Sequence, residues 1–306
     1  MNNHAPRERG CRRITVRILI IGGTKFIGPY VVRELVGHGH NVTVFHRGQT
    51  EADLPSAVRH VHDASASIPV LSFPPDALDP MPDVVIHMVP MGERDATAAV
   101  NTFRDRARRL IALSSGDVYR AYGRFTGLEA GPIERGLLVE SSPLRSVMYP
   151  YRKQAQSSGD WVYSYEKILV ERVIAQAPQI ETVILRLPKV YGPGENADLA
   201  TVYGFRHQPE WRWTHGYVEN VAHAIALAAI HPSAAGIYNV GEAYTPTMGE
   251  RLALLPPSDV PLATMPANFE QDIVYDTTRI RRELGFVETV DDADGLRRTL
   301  ASNLPK

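Results

Sequence analysis

The segment VRILIIGGTKFIGPYVVRELVGHG, residues 16–39, constrains the fold of this chain more than any other. It opens with a nearly continuous apolar run that ends in glycines, as expected for a strand buried on both faces of a parallel sheet. The following residues have helical spacing, with Ile27, Val31 and Leu35 on one face, and the pattern stops at glycine. A buried strand, a tight turn and a helix together predict a nucleotide-binding βα unit.

The same alternation of strands and helices continues along the chain. Further strands are predicted in NVTVFHR, VRHVH, DVVIHMV, LIALSS, ETVILRL and GIYNVG. Helices are predicted near 96–109, in ILVERVIAQ, in YVENVAHAIALAAI and near 292–301, whereas residues 120–158 lack periodicity and are predicted to form a long loop. Apolar strands alternating with helices predict an α/β fold with a doubly wound parallel sheet of the Rossmann type.

The glycine loop predicts how a dinucleotide binds. Glycines in this context allow backbone N–H groups to approach a pyrophosphate at a helix N-terminus. Lys25 stands where a regularly spaced middle glycine would fall, and it either neutralises a phosphate, which we favour, or crowds the loop. The residues predicted to contact the cofactor here are Gly22, Gly23, Thr24, Lys25, Phe26, Ile27 and Gly28.

The residues after the second strand bear on the choice of nicotinamide cofactor. An acidic residue at this point would bind the ribose 2′-hydroxyl of NAD, but the sequence has His46 and Arg47. A guanidinium suits a 2′-phosphate, so NADP is favoured, with NAD as the alternative. Asp63, after the third strand, is predicted either to accept from the adenine amino group or to cap a turn.

Composition narrows the class of protein. The 306 residues carry a formal net charge of -1, so no basic excess favours nucleic acid as a partner. A single cysteine, Cys11, fits a reducing compartment, and no apolar run approaches the length of a membrane span. We therefore expect a cytoplasmic protein that does not bind membranes.

Two groups of histidines have spacings that suggest a metal. His38 and His40 fall in a turn, and His60 and His62 alternate along a predicted strand, next to Asp63. Local structure accounts for both spacings, and no complementary cluster accompanies them in the sequence. The sequence analysis therefore predicts no metal.

The pattern Tyr-x-x-x-Lys occurs twice, as Tyr149 with Lys153 and as Tyr163 with Lys167. Pro150 disfavours helical backbone at Tyr149, which argues against the first copy. The second copy leads into an apolar stripe at helical spacing, so Tyr163 and Lys167 are predicted to share one helix face. A lysine placed there favours the phenolate of the tyrosine.

Several motifs occur in a familiar order: the glycines with FIG, Ser115 before VY, Tyr163-x-x-x-Lys167, RLPKVYGPGE, GYVENVAHA and DTTRIRRELGF. This set resembles the extended short-chain dehydrogenases/reductases, within them the NAD-dependent epimerase/dehydratase family. The resemblance implies an NAD(P)-dependent epimerase or reductase that transfers hydride to or from a nucleotide-sugar or a similar hydroxylated anionic molecule. By resemblance, Tyr163 is the acid/base, Lys167 binds the nicotinamide ribose and tunes Tyr163, and Ser115 hydrogen-bonds the reacting oxygen.

The chain departs from the family pattern at the substrate side. Dehydratases carry an Asp-Glu pair where this chain has Gly116 and Asp117, so epimerisation or reduction is favoured over dehydration. Asp117 and Lys189 are candidate substrate contacts, the latter replacing an asparagine and either meeting an anionic group or pointing to solvent. Trp213 and Trp211 either stack on the substrate or pack a cap.

The resemblance also suggests how the chain is organised. We expect a flexible tail at 1–13, an NAD(P)-binding Rossmann domain at 14–187 and a smaller C-terminal substrate-binding cap within 188–306, of which 216–241 returns to the Rossmann domain. Relatives are commonly homodimers. The alternative function is that of a non-catalytic NADP-binding regulatory or RNA-associated relative.

Overall fold

The computed structural model describes residues 15–65 and 67–303, so the tail expected at 1–13 lies outside the described residues. Its centre is a parallel sheet, and a separate pair of short strands lies on the C-terminal side. The strands are β1 (Arg17–Ile21), β2 (Asn41–His46), β3 (Arg59–His62), β4 (Val84–His87), β5 (Arg109–Ser115), β6 (Glu181–Leu187), β7 (Lys189–Tyr191), β8 (His215–Tyr217) and β9 (Gly236–Asn239).

Helices cover both faces of the sheet and form much of the C-terminal region. They are α1 (Ile27–Gly37), α2 (Pro75–Leu78), α3 (Glu93–Phe103), α4 (Arg120–Phe125), α5 (Lys167–Ala175), α6 (Ala200–Tyr203), α7 (Val218–Ile230), α8 (Met248–Leu252), α9 (Thr278–Leu284) and α10 (Asp292–Ala301). Short 3-10 turns occupy Gly116–Val118, Arg152–Gln154 and Trp161–Ser164.

The sheet has the strand order β3-β2-β1-β4-β5-β6-β9. Because the order changes direction between β1 and β4, the carboxyl ends of these strands open a crevice, which is where sheets of this kind bind ligands. One apolar core lies between the sheet and α1 with α7, and another lies beneath α3 and α5. This architecture confirms the predicted Rossmann-type doubly wound sheet.

A third apolar core lies under the C-terminal elements and is rich in aromatic side chains, among them Tyr203, Trp211 and Tyr217. It also includes Tyr119 and Phe125, so the segment after β5 packs against the C-terminal region. The third core therefore closes one side of the crevice with chain from two distant parts of the sequence.

Two predictions about secondary structure were wrong in detail. The segment 120–158 is not entirely loop, because α4 occupies Arg120–Phe125 with Ala121 and Phe125 buried. Such a helix is too short to show periodicity in the sequence. The helix predicted near 96–109 instead spans Glu93–Phe103, because Asp95 accepts from the N–H of Gly92 and so fixes an earlier start.

No helix in the described part of the chain is both long and apolar enough to cross a bilayer.

Candidate active site

A cleft of about 520 Å³ lies over the carboxyl ends of β1, β4 and β5. The glycine loop forms its floor, and one end reaches Ser114 and Lys167. The residues that line it are Gly22, Gly23, Thr24, Lys25, Phe26, Ile27, Phe45, His46, Arg47, Gln49, Thr50, Ile68, Val70, Met88, Val89, Met91, Leu113, Ser114, Trp161, Lys167, Leu187 and Glu195.

The glycine loop has the shape that a dinucleotide requires. Gly22 and Gly23 have φ of +91° and +99°, a region that favours glycine. A Cβ on Gly28 would lie 2.3 Å from the Cα of Gly23, so α1 packs directly against the loop. The side chain of Lys25 is exposed and therefore does not fill the turn. The loop thus fits the pyrophosphate of an NAD-type cofactor at the N-terminus of α1.

We expect Gly28→Ala to lower the free energy of unfolding by about 1–3 kcal/mol, because the added methyl group overlaps backbone that cannot move aside. The same displacement of the loop should weaken NAD(P) binding. Gly37→Ala, in the same helix, is the matched control, since its Cβ meets nothing within 4 Å. Urea denaturation and cofactor titration of both variants test this, and equal behaviour of the two would contradict it.

The far end of the cleft is formed by residues after β2. His46, at the end of β2, and the following Arg47 and Thr50 line it, and the contact of His46 and Arg47 with the adenosine ribose stays a prediction. Asp63 lies in the turn after β3, where its Oδ1 accepts from the N–H and the hydroxyl of Ser65. This is the capping arrangement, and the adenine contact of Asp63 stays a prediction.

Lys167 is the cation at the other end of the cleft. Its side chain is buried, and its Nζ donates to the carbonyl of Leu113, at 3.0 Å, and to that of Pro90. It therefore ties the ends of β4 and β5 together. Burial lowers the pKa of Lys167 to about 8, against the opposing effect of nearby carboxylates, the largest from Asp117. The group is charged at neutral pH but close to its titration range.

The prediction that Tyr163 and Lys167 share a helix face is wrong. Tyr163 lies in the 3-10 turn Trp161–Ser164, and α5 begins only at Lys167. The cause is Glu166, whose carboxylate accepts from the N–H of Ile168 and so caps the helix at that point.

Arg152 contacts both the backbone and the ring of Tyr163. Its guanidinium lies 4.5 Å from the ring centroid of Tyr163, and its Nε donates to the Tyr163 carbonyl. Among the described residues, the cleft lining includes neither Tyr163 nor Tyr165. The first Tyr-x-x-x-Lys copy is not helical either, as expected, and Tyr149 has φ of +56°.

A second tyrosine, Tyr165, lies close to Ser115 and Asp117. The Nζ of Lys167 lies 5.5 Å from its ring centroid. Burial, followed by the charge of Asp117, raises the pKa of Tyr165 well above its usual range, so the phenol is neutral. The neighbouring Ser114 is already engaged, since its Oγ donates to Glu171.

Asp117 lies behind this serine–tyrosine pair and not in the cleft. Its side chain is buried, its Oδ2 accepts from the hydroxyl of Tyr151 at 3.0 Å, and its N–H donates to the Oγ of Ser115. Its Oδ1 is buried and has no hydrogen-bond partner among the described residues. Burial raises the pKa of Asp117, while the charge of Arg145 opposes the rise.

The other predicted substrate residues lie away from the cleft. Lys189 is half-buried on β7, where burial lowers its pKa. Trp213 is part of an aromatic cluster, with ring centroids 5.6 Å from Trp211, 6.1 Å from Phe125 and 6.2 Å from Phe205. Trp211 is buried and donates its Nε1–H to Gln271. The arrangement of the two tryptophans is that of cap packing.

The sequence analysis missed Tyr165 and Glu166 as determinants of the site. Tyr165 was assigned to the apolar stripe of a helix. Glutamate is a weak helix cap in general, and nothing in the local pattern identifies it as one. The signal is tertiary, because buried Arg145 pairs with both oxygens of Glu166 at 2.9 and 2.6 Å.

A glycine loop at the end of β1, a crevice at the strand-order reversal and a half-buried serine–tyrosine pair beside the buried Lys167 are features of α/β enzymes of the oxidoreductase type. The family model described as "NAD dependent epimerase/dehydratase family" matches residues 18–241, and the chain belongs to that family.

Solved structures of extended short-chain dehydrogenases/reductases share the fold. The enzyme WbmG from Bordetella bronchiseptica, in complex with NAD, is 18% identical with a TM-score of 0.69, over 95% of this chain and 94% of that one. UDP-glucose 4-epimerase from Thermus thermophilus, in complex with NAD, is 22% identical with a TM-score of 0.66, over 94% and 98% of the two chains. UDP-glucose 4-epimerase from Thermotoga maritima, with UDP-glucose, is 17% identical with a TM-score of 0.67, over 94% and 98%.

A curated relative is the decarboxylating sterol-4-alpha-carboxylate 3-dehydrogenase of Dictyostelium discoideum. It is 22% identical over 232 residues, which cover 69% of this chain and 66% of that protein. These names are those of enzymes, so the comparisons do not favour the alternative of a non-catalytic, RNA-associated relative.

Proposed function

We propose that this protein is an NAD(P)-dependent epimerase or reductase that acts on the carbinol of a nucleotide-sugar or a similar hydroxylated anionic molecule. The observation that carries the proposal is the placement of Tyr165 close to Ser115 and to Lys167, where Lys167 lines the end of a dinucleotide-shaped cleft. Ser115 and Lys167 keep the roles predicted from the sequence.

The chain's own residues supply a proton path and an electrostatic environment. Ser115 and Tyr165 hold the reacting oxygen between two hydroxyls, and Tyr165 moves the proton to or from it. The Lys167 ammonium stabilises negative charge on that oxygen and donates hydrogen bonds to a ribose. A bound nicotinamide supplies the hydride acceptor or donor.

Asp117 assists proton transfer by Tyr165, because it can take up the phenol proton and give it back. Its carboxylate is buried, accepts a hydrogen bond from Tyr151 and lies close to the Tyr165 hydroxyl. When Tyr165 accepts a proton from the substrate, its own proton has a ready acceptor in Asp117. Asp117 is therefore a positioning residue behind the acid/base.

Geometry favours Tyr165 over Tyr163 as the acid/base. The family resemblance assigns the role to Tyr163, but its ring lies beside Arg152 and it does not share a helix turn with Lys167. Tyr163 instead lies in a turn whose start Asp160 caps. Tyr165, in contrast, lies close to Ser115.

Dehydration is disfavoured on steric grounds as well as by residue type. A Cβ on Gly116, where dehydratases carry an aspartate, would lie 1.4 Å from the hydroxyl of Tyr275. Tyr275 is itself buried, so no acidic side chain fits at this point. Epimerisation or reduction of a carbinol requires no acid there.

The substrate class rests on what the relatives are named for. Two of the structural relatives are UDP-glucose 4-epimerases, and the Thermotoga maritima structure holds UDP-glucose. The curated relative is named as a sterol 3-dehydrogenase, and a carbinol is oxidised in its named reaction too. We favour a nucleotide-sugar because 94% of this chain follows the fold of an epimerase.

For the cofactor we propose NADP over NAD, since Arg47 lines the adenosine end of the cleft. A charge-assisted contact with a 2′-phosphate is worth about 1.5–3 kcal/mol. Arg47→Ala should therefore reduce the preference for NADP at least ~10-fold and leave NAD affinity nearly unchanged. Arg94→Ala, which changes an exposed arginine outside the cleft lining, is the control. An unchanged preference for NADP in Arg47→Ala would show that Arg47 does not contact the cofactor.

A substrate panel tests the function itself. The purified protein, supplied with NADP or NAD, is incubated with UDP-, dTDP- and GDP-sugars and with a sterol 4-carboxylate, and products are identified by mass spectrometry and NMR. We expect an epimer or an oxidised product from a nucleotide-sugar. Conversion of the sterol alone would overturn the substrate class, and conversion of none would overturn the enzymatic proposal.

A further inference from the structure

Three histidines and a glutamate meet at the outer end of β2 and β3; we call them the histidine cluster (His46, Glu51, His60 and His62). The strands pair in parallel with His46 opposite His62, and His60 lies two residues earlier on the same face. Glu51 comes from the loop that joins the two strands. The fold therefore brings two further potential metal ligands, His46 and Glu51, next to His60 and His62.

The ligand atoms of the histidine cluster lie at separations that suit one small ion. His46 Nε2 is 3.2 Å from His60 Nδ1, His62 Nε2 is 3.4 Å from Glu51 Oε1, and His60 Nδ1 is 3.8 Å from Glu51 Oε2. All the ligand atoms lie within 4.8 Å of one another. In a tetrahedral zinc site with Zn–N near 2.0–2.1 Å, neighbouring ligand atoms are about 3.3 Å apart. The cluster needs only a small contraction to reach that geometry.

We propose that the histidine cluster binds a transition-metal ion of the zinc class, which ties the 47–58 loop to β3 beside the cofactor cleft. Three imidazoles and one carboxylate suit zinc or cobalt and do not suit magnesium or calcium, which prefer oxygen ligands. Four protein ligands would close the coordination sphere, as in structural sites. The side chains of Glu51 and His62 are 59% and 50% exposed, so an ion can enter from solvent.

The arrangement argues against an anion site. A phosphate would gain from the imidazoles only if they were protonated, and the Glu51 carboxylate lies within 4 Å of two of them and would repel it. A cation, in contrast, uses all four groups. The His46–His60 hydrogen bond is what the ion would replace.

Metal binding should also break one local hydrogen bond, and the loss of that bond can be measured. The Gly48 N–H donates to His46 Nδ1 at 3.3 Å. With a metal on Nε2, the neutral ring carries its proton on Nδ1, so this long hydrogen bond is lost. Gly48 has φ of +71° and, as a glycine, can reorient. Its amide should therefore become less protected, or shift, when the metal binds.

The test uses the full-length untagged protein, stripped with a chelator and titrated with Zn²⁺ and Co²⁺. Calorimetry should give one site per chain, and Co²⁺ should show the intense visible bands of four-coordinate geometry. His60→Ala, His62→Ala and the isosteric Glu51→Gln should each weaken Zn²⁺ binding, the histidine variants by more than ~100-fold, which exceeds the cost of losing a residue that only hydrogen-bonds a metal ligand. His231→Ala, outside the cluster, should bind as wild type does. The Gly48 amide resonance should move in wild type only.

Each of three outcomes would overturn the proposal. One is Zn²⁺ affinity unchanged in both histidine variants while circular dichroism shows them folded. Another is an octahedral Co²⁺ spectrum with no response at Gly48. The last is inorganic phosphate binding that the same variants abolish without an effect on Zn²⁺, which would assign the cluster to an anion. None of these readouts depends on catalysis, so the metal site and the proposed function stand or fall separately.

Discussion

Tyr165→Phe should lower kcat by about 10²–10⁴-fold, the usual contribution of a positioned general acid or base. The substitution removes only the hydroxyl beside Ser115 and Asp117, and the ring stays in its contact near Lys167. Cofactor affinity should change little, because the glycine loop and Lys167 are untouched. Steady-state kinetics with the turned-over nucleotide-sugar, together with NAD(P) titration, measures both quantities.

Tyr163→Phe is the matched control, two residues away in the same segment. Its ring lies next to Arg152 and it sits in the 3-10 turn before α5, so we expect turnover within a few-fold of wild type. If Tyr163→Phe is the inactive variant and Tyr165→Phe the active one, the assignment from family resemblance is right and the one from geometry is wrong. The pair of variants distinguishes the two tyrosines directly.

Glu166→Gln should cost about 3–5 kcal/mol of folding free energy, the range for breaking a buried ion pair by removing one partner. Arg145 and Glu166 both have fully buried side chains, and the carboxylate also accepts from the N–H groups of Tyr149 and Ile168. Glutamine keeps the shape but leaves the Arg145 charge uncompensated. Urea denaturation measures the loss.

The same substitution should disturb the site, because Glu166 sets where α5 begins and hence where Lys167 lies. Asp83→Asn, at the partly exposed Arg17–Asp83 pair, provides the contrast and should cost far less. An equal loss in the two variants would show that the Arg145–Glu166 pair does not anchor the helix.

The secondary-structure elements whose pattern is local were predicted well from the sequence. The β1–loop–α1 unit and the final helix at Asp292–Ala301 lie where periodicity and glycines placed them. These elements are set by spacing within a short segment, since buried strands and amphipathic helices carry their signal locally.

The candidate site was less predictable because tertiary contacts determine it. The start of α5 depends on Arg145, 21 residues before Glu166, and no helix pattern contains that information. The histidine cluster depends on the register of β2 with β3, which places His46 opposite His62. The Tyr-x-x-x-Lys spacing predicted a pair on one helix face, but spacing alone does not show where a helix begins, and α5 begins only at Lys167.

The most direct test of the account follows the hydrogen on the reacting carbon. A nucleotide-sugar that the protein turns over is prepared with deuterium at that carbinol carbon, and the product and the nicotinamide are analysed by mass spectrometry. Hydride transfer predicts that the deuterium is retained, in the product of an epimerase or in the nicotinamide of a dehydrogenase. Loss of the deuterium to solvent would show that the carbon is deprotonated instead and would contradict the proposed function.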